Sequence, residues 1–201
     1  MSALTRAKTS EPLKRMGLDE LKTLPGLVHP LTQKECYSFS LLPRGVPRSG
    51  LVEISAPHGL GKTEVVLQFL NENPNLKVAW IEKDFTVFPS AFSAYRVKLD
   101  RVLFIDLSAP STQHSPIWCA TQVLKSQLFQ LLILAHFTLQ EVELRRLQLL
   151  SKQSGSLIFL LHTQPLTQKS WPLSLQIQIH RFIATDAPIL TVLKERGNFS
   201  L

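Results

Sequence analysis

Two hundred and one residues, 44% hydrophobic and 18% charged, suffice to bury the core of one compact domain and are too apolar for a chain that stays disordered. The longest apolar runs, Leu128–Phe137 and Leu157–Leu161, fall short of the roughly 20 residues that a membrane span needs, so no contact with a bilayer is expected. A formal net charge of +7 suits a polyanionic partner only where it is gathered on one surface.

The opening MSALTRAKTSEPLKR is basic, with neither an apolar core nor a small-residue cleavage site, and predicts a protein that stays in the cytosol. Up to Arg48 there are eight basic and four acidic residues. Residues 1–40 are therefore read as a basic N-terminal arm with a short helix at Gly17–Leu24, and residues 41–201 as the core domain. Cys36 and Cys119 fit no disulfide framework or metal-ligand spacing and are expected to be reduced. The six histidines, among them His58, His136 and His162, are scattered singly, so no structural metal is expected.

After the turn-rich LLPRGVPRSG, the apolar LVEIS (Leu51–Ser55) predicts a strand, and the segment opened by Gly61, Lys62 and Thr63 continues with the apolar spacing of a helix. KVAWIE (77–82) predicts a strand, Pro89–Tyr95 a helix with proline in its first turn, and RVLFIDL (101–107) a strand. Ser115 caps a helix running to about Gln127, FQLLILA (129–135) is a buried strand, and Leu139–Gln153 is the strongest helix, with Val142 and Leu149 among its apolar positions. Gly155 follows as its C-cap, then the strand SLIFLL (156–161). Strands apolar on both faces and separated by helices predict an α/β fold with a mostly parallel sheet covered on both sides. The alternation in LQIQIHRFI, followed by a turn and ILTVLKERG, predicts a C-terminal antiparallel hairpin.

One motif carries chemistry. SAPHGLGKT, Ser55–Thr63, lies between a strand and a helix, where successive backbone N–H groups and a helix N-terminus can cradle phosphate oxygens. Pro57, His58, Gly59, Leu60 and Gly61 would shape the cradle, Lys62 would reach the terminal phosphates of ATP or ADP, and Thr63 would meet Mg²⁺ through the nucleotide. The first glycine of the pattern G-x-x-x-x-G-K-[ST] is replaced by Ala56. The other reading is a plain strand–turn–helix in which Gly59 and Gly61 serve a tight turn and Lys62 is solvated.

From roughly Leu41 to Gly197 the chain resembles the RecA-like recombinase family. The approach LPRGVPRSGLVEI, the loop APHGLGKT, the stretch VAWIEKDFTVFP and the strands LLILA and LIFLL occur in the family's order. Lacking an extended C-terminal domain, it is similar to the RecA-like accessory proteins of the ImuA and SulA group, through LDRVL (99–103), LRRLQLL (144–150) and VLKERG (192–197).

The resemblance implies that Asp84, or else Glu82, is the carboxylate that activates water. It implies that LLILA should end in a metal-organising aspartate, where Ala135 and then His136 stand instead. His162 falls where the family senses the terminal phosphate, or is a core histidine. Lys194 and Arg196, two apart on one strand face, would reach a neighbouring subunit's phosphates, or else blunt an exposed sheet edge. The loop His162–Trp171, with Lys169 and Trp171, lies where recombinases contact DNA. The function implied is an adaptor in the DNA-damage response or translesion mutagenesis, with RecA or a translesion polymerase as partner and weak or no ATP hydrolysis. The alternatives are an oligomeric, DNA-stimulated ATPase and a SulA-like inhibitor of cell division.

Overall fold

The structure, a computed structural model, describes residues 36–83, 87–108, 114–166, 172–180 and 188–195. The expected helix at 17–24, Asp84, Lys169, Trp171 and Arg196 lie outside the described residues.

The chain enters through a short antiparallel pair, β1 (Cys36–Tyr37) and β2 (Val46–Pro47). There follow β3 (Gly50–Ser55), α1 (Lys62–Glu72), β4 (Val78–Glu82), α2 (Pro89–Ala94), β5 (Val102–Asp106), α3 (Pro116–Ser126), β6 (Leu131–Ala135), α4 (Glu141–Ser154), β7 (Leu157–His162), β8 (Leu175–His180) and β9 (Ile189–Glu195). The seven later strands form one sheet in the order β5-β4-β6-β7-β3-β8-β9, parallel throughout except for the β8–β9 pair. Every residue of β3, β4 and β6 is buried, as expected of parallel strands covered by helices on both faces.

Alternate side chains divide the core into two layers. Val52, Ile54, Trp80, Ile133 and Phe159 pack with α1 and α2. Leu51, Ala79, Ile81, Leu132 and Ile158 pack with α3 and α4. Phe69 of α1 anchors the first layer, with its ring centroid 5.4 Å from Phe39 and 5.1 Å from Phe159, so the segment before β2 is bound into the core as well.

Local chemistry sets the helix ends. Ser115 Oγ accepts from the Trp118 amide at 3.2 Å, with Pro116 in the first turn. Gln140 and Glu143 form a reciprocal capping box on α4, and Gly155 closes it at φ 67°. Two apolar positions of α4 depart from expectation: Val142 and Leu149 are 75% and 63% exposed, because the face of α4 that meets the sheet is the one with Leu144, Leu147 and Ser151.

Candidate phosphate-binding site

The C-terminal ends of β3, β6 and β7 converge where the crossovers leave the sheet, the position at which open parallel sheets receive ligands. The loop from Ala56 to Gly61 turns the chain from β3 into α1, with Gly59 at φ 78° and Gly61 at φ 92°, both in the left-handed region that favours glycine. Ala56, in place of the pattern's first glycine, has no such requirement. It is buried against the α1 layer, its amide donates to the His162 carbonyl at 3.1 Å, and its φ is not positive. Alanine therefore fits this loop without backbone strain.

Lys62 is folded back over the loop. Its Nζ donates to the carbonyl of Ala56 at 2.5 Å and to that of Pro57 at 3.2 Å, and burial lowers its pKa. The reading of Lys62 as a solvated side chain is thereby excluded, since it is only 7% exposed. Thr63 begins α1 beside it. Pro57, His58 and Gly59 form the exposed rim of the loop, while Leu60 packs inward on the core.

His58, Gly59, Gly61, Lys62, Thr63 and His136 line a cavity of about 260 Å³. The rings of His58 and His136 lie 5.2 Å apart across it. His136 follows β6 at φ 64°, an unfavourable conformation for a non-glycine residue, and its amide donates to the Leu161 carbonyl at 3.0 Å. Burial, then the charges of Lys62 and His58, lower its pKa. At the end of β7, His162 is more deeply set, and burial followed by His136 and Lys62 pushes its pKa down to about 4. At neutral pH, His162 is thus an uncharged imidazole beside the lysine.

The carboxylates fall elsewhere. Ala135 ends β6 opposite Glu82 of β4, which in turn pairs with Asp106 of β5. Glu82 is fully buried, and its Oε2 accepts from Trp80 Nε1 at 3.2 Å. Asp106 Oδ1 accepts from the Ser108 amide at 2.8 Å, which with the Ser108 hydroxyl lowers its pKa. Among the described residues no group of three or more His, Cys, Asp or Glu could hold a metal ion. Among the described residues Thr63 alone offers the cavity a side-chain oxygen, whereas Mg²⁺ seeks oxygen ligands and, as a rule, a carboxylate. The residues present therefore do not fit a protein-held Mg²⁺.

Lys194 lies half-buried on the outer strand β9, next to Glu195, which pairs with Arg44 at 3.2 Å. Sequence reasoning missed Glu53. This residue is fully buried on β3, accepts from the Leu166 amide at 2.8 Å and ties down the start of the segment after β7. A single acid inside the apolar run LVEIS was the available signal.

No protein-family model matches the chain, and no curated protein matches it. Solved structures do match, among them the crystal structure of the RadB recombinase, with a TM-score of 0.55 and 11% identity over 73% of this chain and 81% of that one. At that identity the likeness establishes the fold, which is RecA-like α/β. No helix among the described residues is long and apolar enough to cross a membrane.

Proposed function

We propose that the chain is a RecA-like accessory module that binds ATP or ADP at Pro57–Thr63 and works as an adaptor for a RecA filament or a translesion polymerase, with weak or no hydrolysis. One observation carries this reading. The lysine, the left-handed glycines and the start of α1 form a cradle rich in donors, while strand β6, beyond β7 in the sheet, ends in Ala135, without the carboxylate that phosphoryl transfer needs to organise a metal.

Within the cradle, the amides of the loop and of the first turn of α1 would hold the phosphate oxygens. Lys62 Nζ would exchange the Ala56 and Pro57 carbonyls for phosphate oxygens. Exposed apolar side chains on the far helix layer, Val142 and Leu149 on α4 and Trp118 on α3, provide surface of the kind a protein partner covers. The resemblance to the ImuA group supplies the assignment to translesion mutagenesis, in the cytoplasm.

Calorimetric titration with ATP and ADP, with released phosphate followed in parallel, tests this reading. Binding that disappears in Lys62→Ala, negligible turnover and co-sedimentation with a RecA filament or a polymerase are expected. Robust turnover together with no binding to either partner would overturn it.

A second reading keeps catalysis: an oligomeric, DNA-stimulated ATPase in which Lys194 and Arg196 reach a neighbour's phosphates. The position of β9 at the sheet's outer edge favours it. It requires that Lys62→Ala and Arg196→Ala each abolish turnover and that a mixture of the two restores it.

A further inference from the structure

We infer that this site takes the phosphates of its nucleotide without a divalent cation, the imidazoles of His58 and His136 donating to phosphate oxygens where a metal would otherwise neutralise them. The inference rests on the nucleotide-binding reading and specifies how the anion is held.

The composition of the cavity wall is the first ground. Of its six lining residues two are glycines, and the four side chains are an ammonium, a hydroxyl and two imidazoles, with no carboxylate among them. Such a wall attracts an anion and repels a cation, because a divalent ion entering it would face Lys62 with no negative group among the described lining residues to offset the charge.

Geometry is the second ground. His136 stands in the left-handed region at φ 64°, held by its amide bond to Leu161, and its ring lies 5.2 Å from that of His58. A sparsely populated backbone conformation, retained beside a candidate ligand site, is the kind of local cost that positions a functional group. The two rings come from separate elements, the loop after β3 and the end of β6, and meet over Lys62 and Thr63. Each imidazole carries a ring N–H, so the pair supplies two donors to an anion between loop and sheet.

The third ground is the placement of the nearby acids. Glu82, the register partner of Ala135, is buried and bonded to Trp80 Nε1. Asp106, one strand further out, is engaged by Ser108.

The deciding experiment compares ADP and ATP affinities of the full chain in excess Mg²⁺ and in EDTA, for the wild type and for His58→Phe and His136→Asn. Phenylalanine keeps an aromatic ring without an N–H, and asparagine tolerates a positive φ but has a shorter reach. The expected result is an EDTA affinity within about threefold of the Mg²⁺ value, and a loss of about tenfold in each variant with thermal midpoints unchanged, corresponding to one charge-assisted hydrogen bond. A tenfold or greater requirement for Mg²⁺, or variants that bind as well as the wild type, overturns the inference and leaves nucleotide binding standing. Absence of binding under both conditions overturns both. Should His136→Asn melt early, His58→Phe on the exposed loop decides alone.

Discussion

The amide of Ala56 donates to the carbonyl of His162 at 3.1 Å, so the first residue of the phosphate loop is pinned to the end of the neighbouring strand β7. This bond continues the parallel pairing of β3 with β7 one step beyond Ser55 and holds His162 behind the loop, half-buried near Lys62 and His136.

His162 therefore makes the fold sensitive to acid. Its pKa falls from the ordinary histidine value of 6.5 to about 4 on folding, so the unfolded chain binds the proton more tightly. Stability is unaffected above pH 6.5, drops as the pH descends through this window, and levels off below 4, with a total loss of about 3 kcal/mol. Melting curves between pH 7.5 and 4 should show His162→Gln losing less than the wild type. Parallel pH profiles would sink the assignment.

Glu53 has the opposite sign. Burial raises its pKa against the bonds from the Leu166 amide and Gln176, and its Oε2 has no hydrogen-bond partner among the described residues. A carboxyl whose folded pKa is raised stabilises fully below its unfolded value, and that contribution is lost as the pH rises through the folded value. Glu53→Gln keeps an oxygen for the Leu166 amide and cannot ionise. Its thermal midpoint is expected to gain on the wild type as the pH increases from 4.5 to 8; a gap that does not change with pH would refute this.

Arg101, just before β5, closes the end of α1. Its Nη1 donates to the carbonyls of Asn73 at 2.9 Å and Leu76 at 3.2 Å, and its Nη2 to that of Leu70 at 2.7 Å. The carbonyls of Leu70 and Asn73, at the negative end of the helix dipole, and that of Leu76 beyond it are thus met by one planar cation. Arg101→Ala should cost about 2 kcal/mol, and Arg101→Lys should recover less than half, since an ammonium cannot match the fork. Denaturant titration of the three proteins measures both.

Ser151 joins α4 to the start of β3. It is fully buried, accepts from the Gly50 amide at 2.5 Å and donates to the Ser156 carbonyl at 2.7 Å. Ser151→Ala strands both backbone groups and should destabilise by about 2 kcal/mol. Amide exchange at Gly50, which should quicken by an order of magnitude or more, distinguishes this loss from a general loosening.

The order and type of the elements from Leu51 onward were legible in the sequence because parallel strands buried on both faces leave unbroken apolar runs such as LLILA and LIFLL, and because caps such as Ser115 and Gly155 act within a turn of their own position. The turn from β3 into α1 was legible because Gly59 and Gly61, which take the left-handed conformation there, stand two apart in the chain. Tertiary structure alone brought His58, His136 and His162 around Lys62, paired Glu53 with Gln176, placed Glu82 opposite Ala135, and left Val142 and Leu149 in solvent. A local pattern specifies what a residue's neighbours in the chain can do, whereas sheet order determines which distant strand ends become neighbours in space. The sequence by itself determined a glycine-rich strand–turn–helix loop on an α/β core, with Ala135 and His136 at the end of β6, and only the sheet order β6-β7-β3 decided that His136 and His162 stand beside Lys62.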